Sequence, residues 1–204
     1  MKRVFAAMSI SATLVCLAMA QTASPPPASI PGDTLERPFA SGGTARMELS
    51  AGDYVIRAGS AADKILIRWK AKTPEQLKQA RVKVDLQGSE AIITTHGPRK
   101  EFHVEIELPA HTDLHVRLSA GDIDIHGIEG NKNVECHAGD LSMDIGRAQD
   151  YSRISASVKI GDIEAPPIDA SKGGFFRSIQ WPGTGKYTLH AHVGAGSLTL
   201  LGTK

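Results

Sequence analysis

The stretch SAGDIDI at Ser119–Ile125 decides the fold, because it returns 18 residues later as HAGDLSM at His137–Met143. Each copy has a glycine, then an aspartate, then alternating apolar residues. The same phrase, once with Ser in place of Asp, occurs as SAGDYVI at Ser50–Ile56, KIGDIEA at Lys159–Ala165 and GAGSLTL at Gly194–Leu200. A repeat of about 20 residues is typical of one coil of a stacked β-structure.

The Gly-Asp pair suits a sharp corner between two strands. Glycine adopts positive φ without a steric penalty, and a neighbouring Asp accepts hydrogen bonds from turn amides. A corner is needed on every coil, whereas a catalytic group is needed once. We therefore predict structural turns at Gly52 and Asp53, Gly121 and Asp122, Gly139 and Asp140, Gly161 and Asp162, and Gly196.

Alternation of apolar and polar residues around these corners predicts short β-strands with one face buried. The residues expected to point inward as a continuous stack are Leu114, Val116, Leu118, Ile123, Ile125, Val134, Cys136, Leu141, Met143 and Ile145. One helical interruption is expected: Thr73 is in an N-cap position, Pro74 at the first helical position and Gln76 two residues later. The fold class is all-β, a β-solenoid of stacked short strands like a right-handed β-helix, with one short helix. The alternative is an antiparallel β-sandwich.

The segment Phe102–Gly146 resembles the bacterial adhesin-like repeat domains of unknown function, which are related to the auto-transporter adhesin head domain. The resemblance rests on the order of an alternating strand, the turn LPAHTDL at Leu108–Leu114, and the successive phrases SAGDIDIHG and HAGDLSMDIG. His111 stands where that family usually has Gly. The resemblance implies a β-helical or two-sheeted solenoid in the cell envelope, with no catalytic residues. The interval of 35 residues from Gly161 to Gly196 departs from the pattern and suggests an inserted loop.

The N-terminus has the features of a secretory signal peptide. Lys2 and Arg3 precede the uncharged apolar run Val4–Ala18, and Ala18-Met19-Ala20 is a small-x-small cleavage site. The sequence thus divides into a signal peptide at 1–20, a Pro/Ala/Ser-rich linker at 21–38 and an adhesin-like domain at 39–204. We expect export to the periplasm or the cell surface, with no transmembrane segment.

Composition excludes several classes of partner and stabilisation. The formal net charge is +1 in 204 residues, so the charge balance gives no electrostatic reason to expect nucleic acid. Beyond the signal peptide there is one cysteine, Cys136, so an intramolecular disulfide cannot form. In phase with Val134, it is expected to be a small buried side chain rather than a nucleophile.

Two chemical alternatives remain open. The first is a zinc or copper site, formed where outward-facing histidines lie beside Asp122, Asp124 and Asp140. The histidines concerned are His103, His115, His126, His137, His190 and His192. No HExxH or CxxC spacing supports such a site, and no cofactor motif is present. The second is glycan cleavage by Asp122 and Asp140, which occupy equivalent repeat positions.

A late cluster of aromatic residues, Phe175, Phe176, Trp181 and Tyr187, indicates either a contact surface or a cap on the open end of the stack, and we favour the cap. The function expected from the sequence is a non-enzymatic structural, adhesive or surface-interaction role in the envelope, with a protein or a glycan as partner. The alternatives are a glycan-acting enzyme or ligand-binding protein, and a periplasmic partner in envelope-stress regulation.

Overall fold

A computed structural model of the chain describes residues 32–61, 63–98 and 100–203. The predicted signal peptide and the first part of the predicted linker lie outside these residues. The strands are β1 (Gly32–Pro38), β2 (Thr44–Leu49), β3 (Asp53–Ala58), β4 (Lys64–Ala71), β5 (Arg81–Gln87), β6 (Glu90–His96), β7 (Phe102–Leu108), β8 (Asp113–Leu118), β9 (Ile123–His126), β10 (Lys132–Ala138), β11 (Leu141–Arg147), β12 (Tyr151–Ala165), β13 (Ala170–Pro182) and β14 (Tyr187–Thr203). The prediction of an all-β fold with one short helix is confirmed over the described part of the chain.

The helix α1 (Pro74–Gln79) forms where the capping pattern places it. Its N-cap is Thr73, whose hydroxyl accepts a hydrogen bond from the Gln76 amide at 3.2 Å. Pro74 begins the helix because its missing N–H has no partner to lose there. α1 spans six residues, and none of the described helices has the length and apolar character that crossing a membrane requires.

The strands form one mixed sheet that the corners divide into two halves. Strands β5, β6, β2, β8 and β10 lie side by side and form what we call the pre-corner half. Strands β1, β4, β7, β3, β9 and β11 form the post-corner half. The long strands β12, β13 and β14 run through both halves; for example, β14 pairs with β10 through Leu189–Ala195 and with β11 from Leu198 onward.

We call the two strand segments on either side of one corner a layer. The layers follow one another in a different order in space than in the chain. Within the pre-corner half, β14 lies between β10 and β12, although it follows both of them in the sequence. Similarly, β8 lies against β2 rather than against β6, which precedes it more closely in the chain. A simple solenoid stacks its coils in chain order, so this mixed sheet is not a simple solenoid. The strands on either side of the Gly-Asp corners pair in parallel, as β8 does with β10 and β9 with β11. Strands β1, β4, β5 and β13 pair antiparallel.

A single hydrophobic core lies between the two halves. All ten residues that the alternation places inward are buried, with exposures of 5% or less. The core extends from Phe39 near one end of the sheet to Ile179 on β13 near the other. Because each layer contributes apolar side chains from both sides of its corner, no layer could bury them alone.

Two segments differ from the sequence-based interpretation. Gly32–Pro38, assigned to the linker, forms β1 and pairs with β4 over all seven residues. An edge strand is often polar because exposed charged side chains discourage pairing with other chains, and Leu35 of β1 packs against the core. The interval between Gly161 and Gly196 is not a loop, since it contains β13, which pairs with β12 from Ala165 back to Arg153.

We expect truncation of the stacked core to destabilise the protein strongly. Ile125 has 0% exposure, so Ile125→Ala removes buried methyl groups and leaves a cavity. The free energy of unfolding should fall by about 2–5 kcal/mol. Chemical denaturation monitored by circular dichroism measures this loss, and Val55→Ala, on the exposed face of β3, is the control that should change stability by less than about 1 kcal/mol.

Candidate functional site

The five corner glycines form a column through the stack. Gly121 N donates to Ala138 O at 2.9 Å and Gly139 N donates to Ala195 O at 2.9 Å, so the ladder of hydrogen bonds continues through the turns. In space the order is Gly52, Gly121, Gly139, Gly196 and Gly161. A Cβ on Gly139 would overlap the carbonyl oxygen of Gly121 in the next layer. The column therefore excludes every side chain, and the φ of +127° at Gly139 disfavours one independently.

The predicted corner aspartates contact the backbone of neighbouring layers. Asp122 Oδ1 accepts from Asp140 N at 3.0 Å, and Asp140 Oδ1 accepts from Ser197 N at 2.8 Å. Asp53 instead contacts His103, with Asp53 Oδ2 3.0 Å from His103 Nδ1. Asp162 belongs to the corner that pairs with Gly196 and Ser197, and its carboxylate lies beside Gly173 of β13.

A second ladder with the same spacing lies at the other end of these layers. Asp113 Oδ1 accepts from Asn131 N at 2.7 Å, and Asn131 Oδ1 accepts from Thr188 N at 2.9 Å. The partners in these two hydrogen bonds are 18 and 57 residues apart in the sequence. The partners in the two hydrogen bonds of the corner aspartates have the same separations. The recurrence of Asp or Asn at the start of strands β8 and β10, as the first residue of β8 and the residue before β10, is the signal that could have revealed this ladder from the sequence.

A groove of about 650 Å³ crosses the outer surface of the pre-corner half. Five of its lining residues, placed opposite one another by strand register, form a row: Thr94, Glu48, Arg117, Glu135 and His192. Ser157, opposite His192, continues the row on β12 beyond the groove. With strands about 4.8 Å apart, these six positions extend over about 24 Å. The row thus offers alternating acidic, basic and hydroxyl groups along a path that crosses six strands.

The polar groups of this row are loosely paired. Arg117 lies between two carboxylates, with its Nη1 3.7 Å from Glu48 Oε1 and its Nε 3.4 Å from Glu135 Oε2. Ser157 Oγ and His192 Nδ1 are hydrogen-bonded at 2.9 Å, and partial burial lowers the pKa of His192. Ion pairs of this kind at an exposed surface stabilise a fold only slightly, so the groups are free to exchange partners.

The corner side of the groove carries a second set of polar groups: Ser50, Ser119, His137 and Lys159, with His96 at one end. Below Ser50 lies a hydroxyl cluster in which Tyr54 Oη and Thr95 Oγ1 are 2.7 Å apart. Burial raises the pKa of Tyr54 and keeps its phenol neutral. This cluster joins the corner after β2 to β6 at that end of the groove.

The six histidines of the metal hypothesis are divided between the two halves, with His103 and His126 on β7 and β9 of the post-corner half. His115, His137, His190 and His192 lie on β8, β10 and β14 in the pre-corner half, whereas Asp124 lies on β9 across the corner. The corner turns the chain between these positions, so alternation alone could not show which of them share a surface. Over residues 32–61, 63–98 and 100–203, no three His, Cys, Asp or Glu side chains are grouped to hold a metal ion.

Cys136 lies beneath the groove with 1% exposure, as the alternation predicts. Burial raises the pKa of its thiol to about 11, which keeps it protonated and unreactive at neutral pH.

Lys132 is a buried cation that the sequence analysis missed. It is 2% exposed, and its Nζ donates to Tyr151 Oη at 2.7 Å and to Gly130 O at 3.2 Å. Burial lowers the pKa of Lys132 to about 8, although the charges of Glu129, Asp113 and Asp144 act in the opposite direction. Its inward orientation follows from its phase, since it alternates with Val134 and Cys136 on β10.

No protein-family model and no curated protein matches this chain. Among solved structures, it is similar to a candidate cell adhesion protein from Clostridium sporogenes ATCC 15579, at 12% sequence identity and a TM-score of 0.52. That match covers 83% of this chain and 99% of the other. A candidate adhesin from Bacteroides fragilis NCTC 9343 has 10% identity and a TM-score of 0.28, covering 85% of this chain and 98% of that one. The Clostridium match shows a shared fold.

The glycine column generates a prediction with an internal control. Gly139→Ala should lower the free energy of unfolding by about 3 kcal/mol or more, because it combines unfavourable φ with overlap against the next layer. Gly88→Ala also has positive φ, at +61°, but nothing lies within 4 Å of its added Cβ. Its loss should be about 1 kcal/mol. Equal losses in denaturant titrations of the two variants would contradict close stacking of the corners.

Burial of Lys132 should make stability depend on pH. The unfolded chain binds a proton at Lys132 up to about pH 10.5, whereas the folded chain releases it near pH 8. Stability should therefore rise with pH in this window, by about 2 kcal/mol between pH 8 and pH 10 from this group. Denaturation across this range tests the effect, and Lys132→Met should abolish this part of the rise. An unchanged slope in the variant would show that Lys132 is not its source.

Proposed function

We propose that this chain is an exported cell-envelope domain with a structural, adhesive or surface-interaction role and no enzymatic activity. The observation that carries the proposal is the groove across the pre-corner half, with its row from Thr94 to Ser157. A row of alternating charges and hydroxyls over about 24 Å suits an extended partner, either a glycan or a protein segment. The name of the Clostridium structure, a candidate cell adhesion protein, agrees with this role.

The proposed export rests on the N-terminal sequence. Residues 1–20 serve as the signal peptide, and the linker that follows connects the cleavage site to the domain. The periplasm and the cell surface are the two destinations consistent with this processing. The domain then begins at β1 rather than at Phe39, because Gly32–Pro38 is part of the sheet.

We also propose that the fold is a solenoid with permuted layers and that the Gly-Asp corners have a structural role. Parallel pairing of the corner-bearing strands and stacking of the corner glycines support the solenoid over an antiparallel sandwich. Asp122 and Asp140 each direct a carboxylate oxygen to a backbone amide of the next layer. This use of the carboxylates supports a structural role over glycan cleavage.

Substitution at the centre of the groove tests the function. The purified protein should bind intact cells or envelope glycans on an array, and Arg117→Glu should weaken that binding by about tenfold or more. Arg117 is exposed, so the fold should be retained. Lys70→Glu makes the same change of charge on an exposed position of the post-corner half and should bind like the unmodified protein.

Two outcomes would contradict this proposal. Equal binding by Arg117→Glu and the unmodified protein would show that the groove is not the binding surface. Release of a product from a glycan, abolished in Asp122→Asn or Asp140→Asn, would establish an enzyme instead. The Asn variants keep an oxygen that can accept the amide hydrogen bond, so loss of such an activity would not reflect unfolding.

A further inference from the structure

The β12–β13 hairpin bends where it crosses the corner, at the pair Ile160 and Phe175. This bend carries the most exposed large apolar side chains of the described chain. Phe176 is 81% exposed, Phe175 is 67% exposed and Ile160, paired with Phe175, is 52% exposed. The residue before the corner glycine is Ala in the other four corners, at Ala51, Ala120, Ala138 and Ala195. A bulky residue is therefore present only at the corner beside the free edge of β13.

The bend holds these rings outward in a defined shape. β12 and β13 pair at Val158 with Arg177 and at Ile160 with Phe175, and Phe176 between them has a φ of +51°. Phenylalanine rarely adopts this conformation without support from its surroundings. Two hydrogen bonds brace it, because Arg177 Nε donates to Gly173 O at 3.0 Å and Lys172 Nζ donates to Ser178 O at 2.8 Å.

Positive charge surrounds the apolar group. Lys159, Lys172 and Arg177 lie at the bend, and none of them forms an ion pair with a carboxylate of the described residues. Asp162, beside Gly173, and Glu164, paired with the Ser171 that precedes Lys172, are the carboxylates nearest in register, so the bend has three cations against two carboxylates. Lysine and arginine on an edge strand also discourage pairing with other strands. That role accounts for the cations but not for two phenyl rings in water.

We propose that this bend docks on the surface of an anionic phospholipid bilayer. Phe175 and Phe176 enter the interfacial region, and Lys159, Lys172 and Arg177 lie at the level of the lipid phosphates. Apolar side chains flanked by cations are the combination that binds such interfaces. A soluble polyanion would neutralise the cations and leave the rings in water. A second copy docked through the same bend would place like charges against one another.

Vesicle binding tests the proposal with the full chain. The protein should co-sediment with vesicles of equal parts phosphatidylglycerol and phosphatidylcholine, and less with pure phosphatidylcholine. Raising the salt should weaken the binding because the attraction is partly electrostatic. Phe176→Gly should reduce binding by about tenfold, since it removes a ring that would be buried in the interface. Glycine accepts the backbone conformation at this position, so the fold is preserved.

Matched variants separate the outcomes. Leu86→Ser removes a 39% exposed apolar side chain from β5, at the opposite edge of the sheet, and should leave binding unchanged. Lys159→Gln should weaken binding to the anionic vesicles but not to pure phosphatidylcholine. Equal binding by Phe176→Gly and the unmodified protein would overturn the proposal. Absence of vesicle binding, together with a dimer that Phe176→Gly dissociates in analytical ultracentrifugation, would assign the bend to self-association instead.

Discussion

A distance of about 4.8 Å separates hydrogen-bonded strands, and at the corners of this protein that distance leaves no room for a Cβ. Gly121 and Gly139 satisfy the constraint, and their amides continue the ladder from one layer to the next. Because the corners stack directly, strands on both sides of the turn keep the same register. That register directs Val116 and Ile123 into one core and aligns the polar side chains outside it.

The row of polar side chains in the groove results from this alignment of the layers. Glu48, Arg117 and Glu135 belong to three layers, and they meet because each lies the same number of residues before its corner glycine. Stacked layers convert a recurring sequence position into a straight row on the surface. A surface of this kind changes its binding properties by substitution of single outward residues, while the inward residues and the corners stay constant.

Local patterns in the sequence predicted those parts of the fold that depend on local chemistry. Thr73 and Pro74 mark the helix because capping involves neighbouring residues only, and alternation identifies Ile125 and Leu141 as core residues. The order of layers could not be predicted in this way, since the pairing of β14 with β10 joins residues 57 apart and has no local signature. The long interval between Gly161 and Gly196 suggested a loop, but it contains β13, whose pairing with β12 is also not marked by a local pattern. In the candidate site, the recurring Gly-Asp phrase marks the corners in the sequence, whereas the row through Arg117 depends on which strands are adjacent, which the sequence does not show.

The position of β14 has a consequence for the order in which the chain can fold. This strand lies between β10 and β12 in one half and between β11 and β12 in the other, yet it follows all three in the chain. The β12–β13 hairpin therefore has no docking surface until residues 187–203 have emerged, whether from the ribosome or from a translocation channel. Until then, the apolar edge formed by β10 and β11 is open to other strands, and its closure depends on contacts distant in sequence, which form slowly. A protein that crosses a membrane unfolded and N-terminus first would complete this core as its last step.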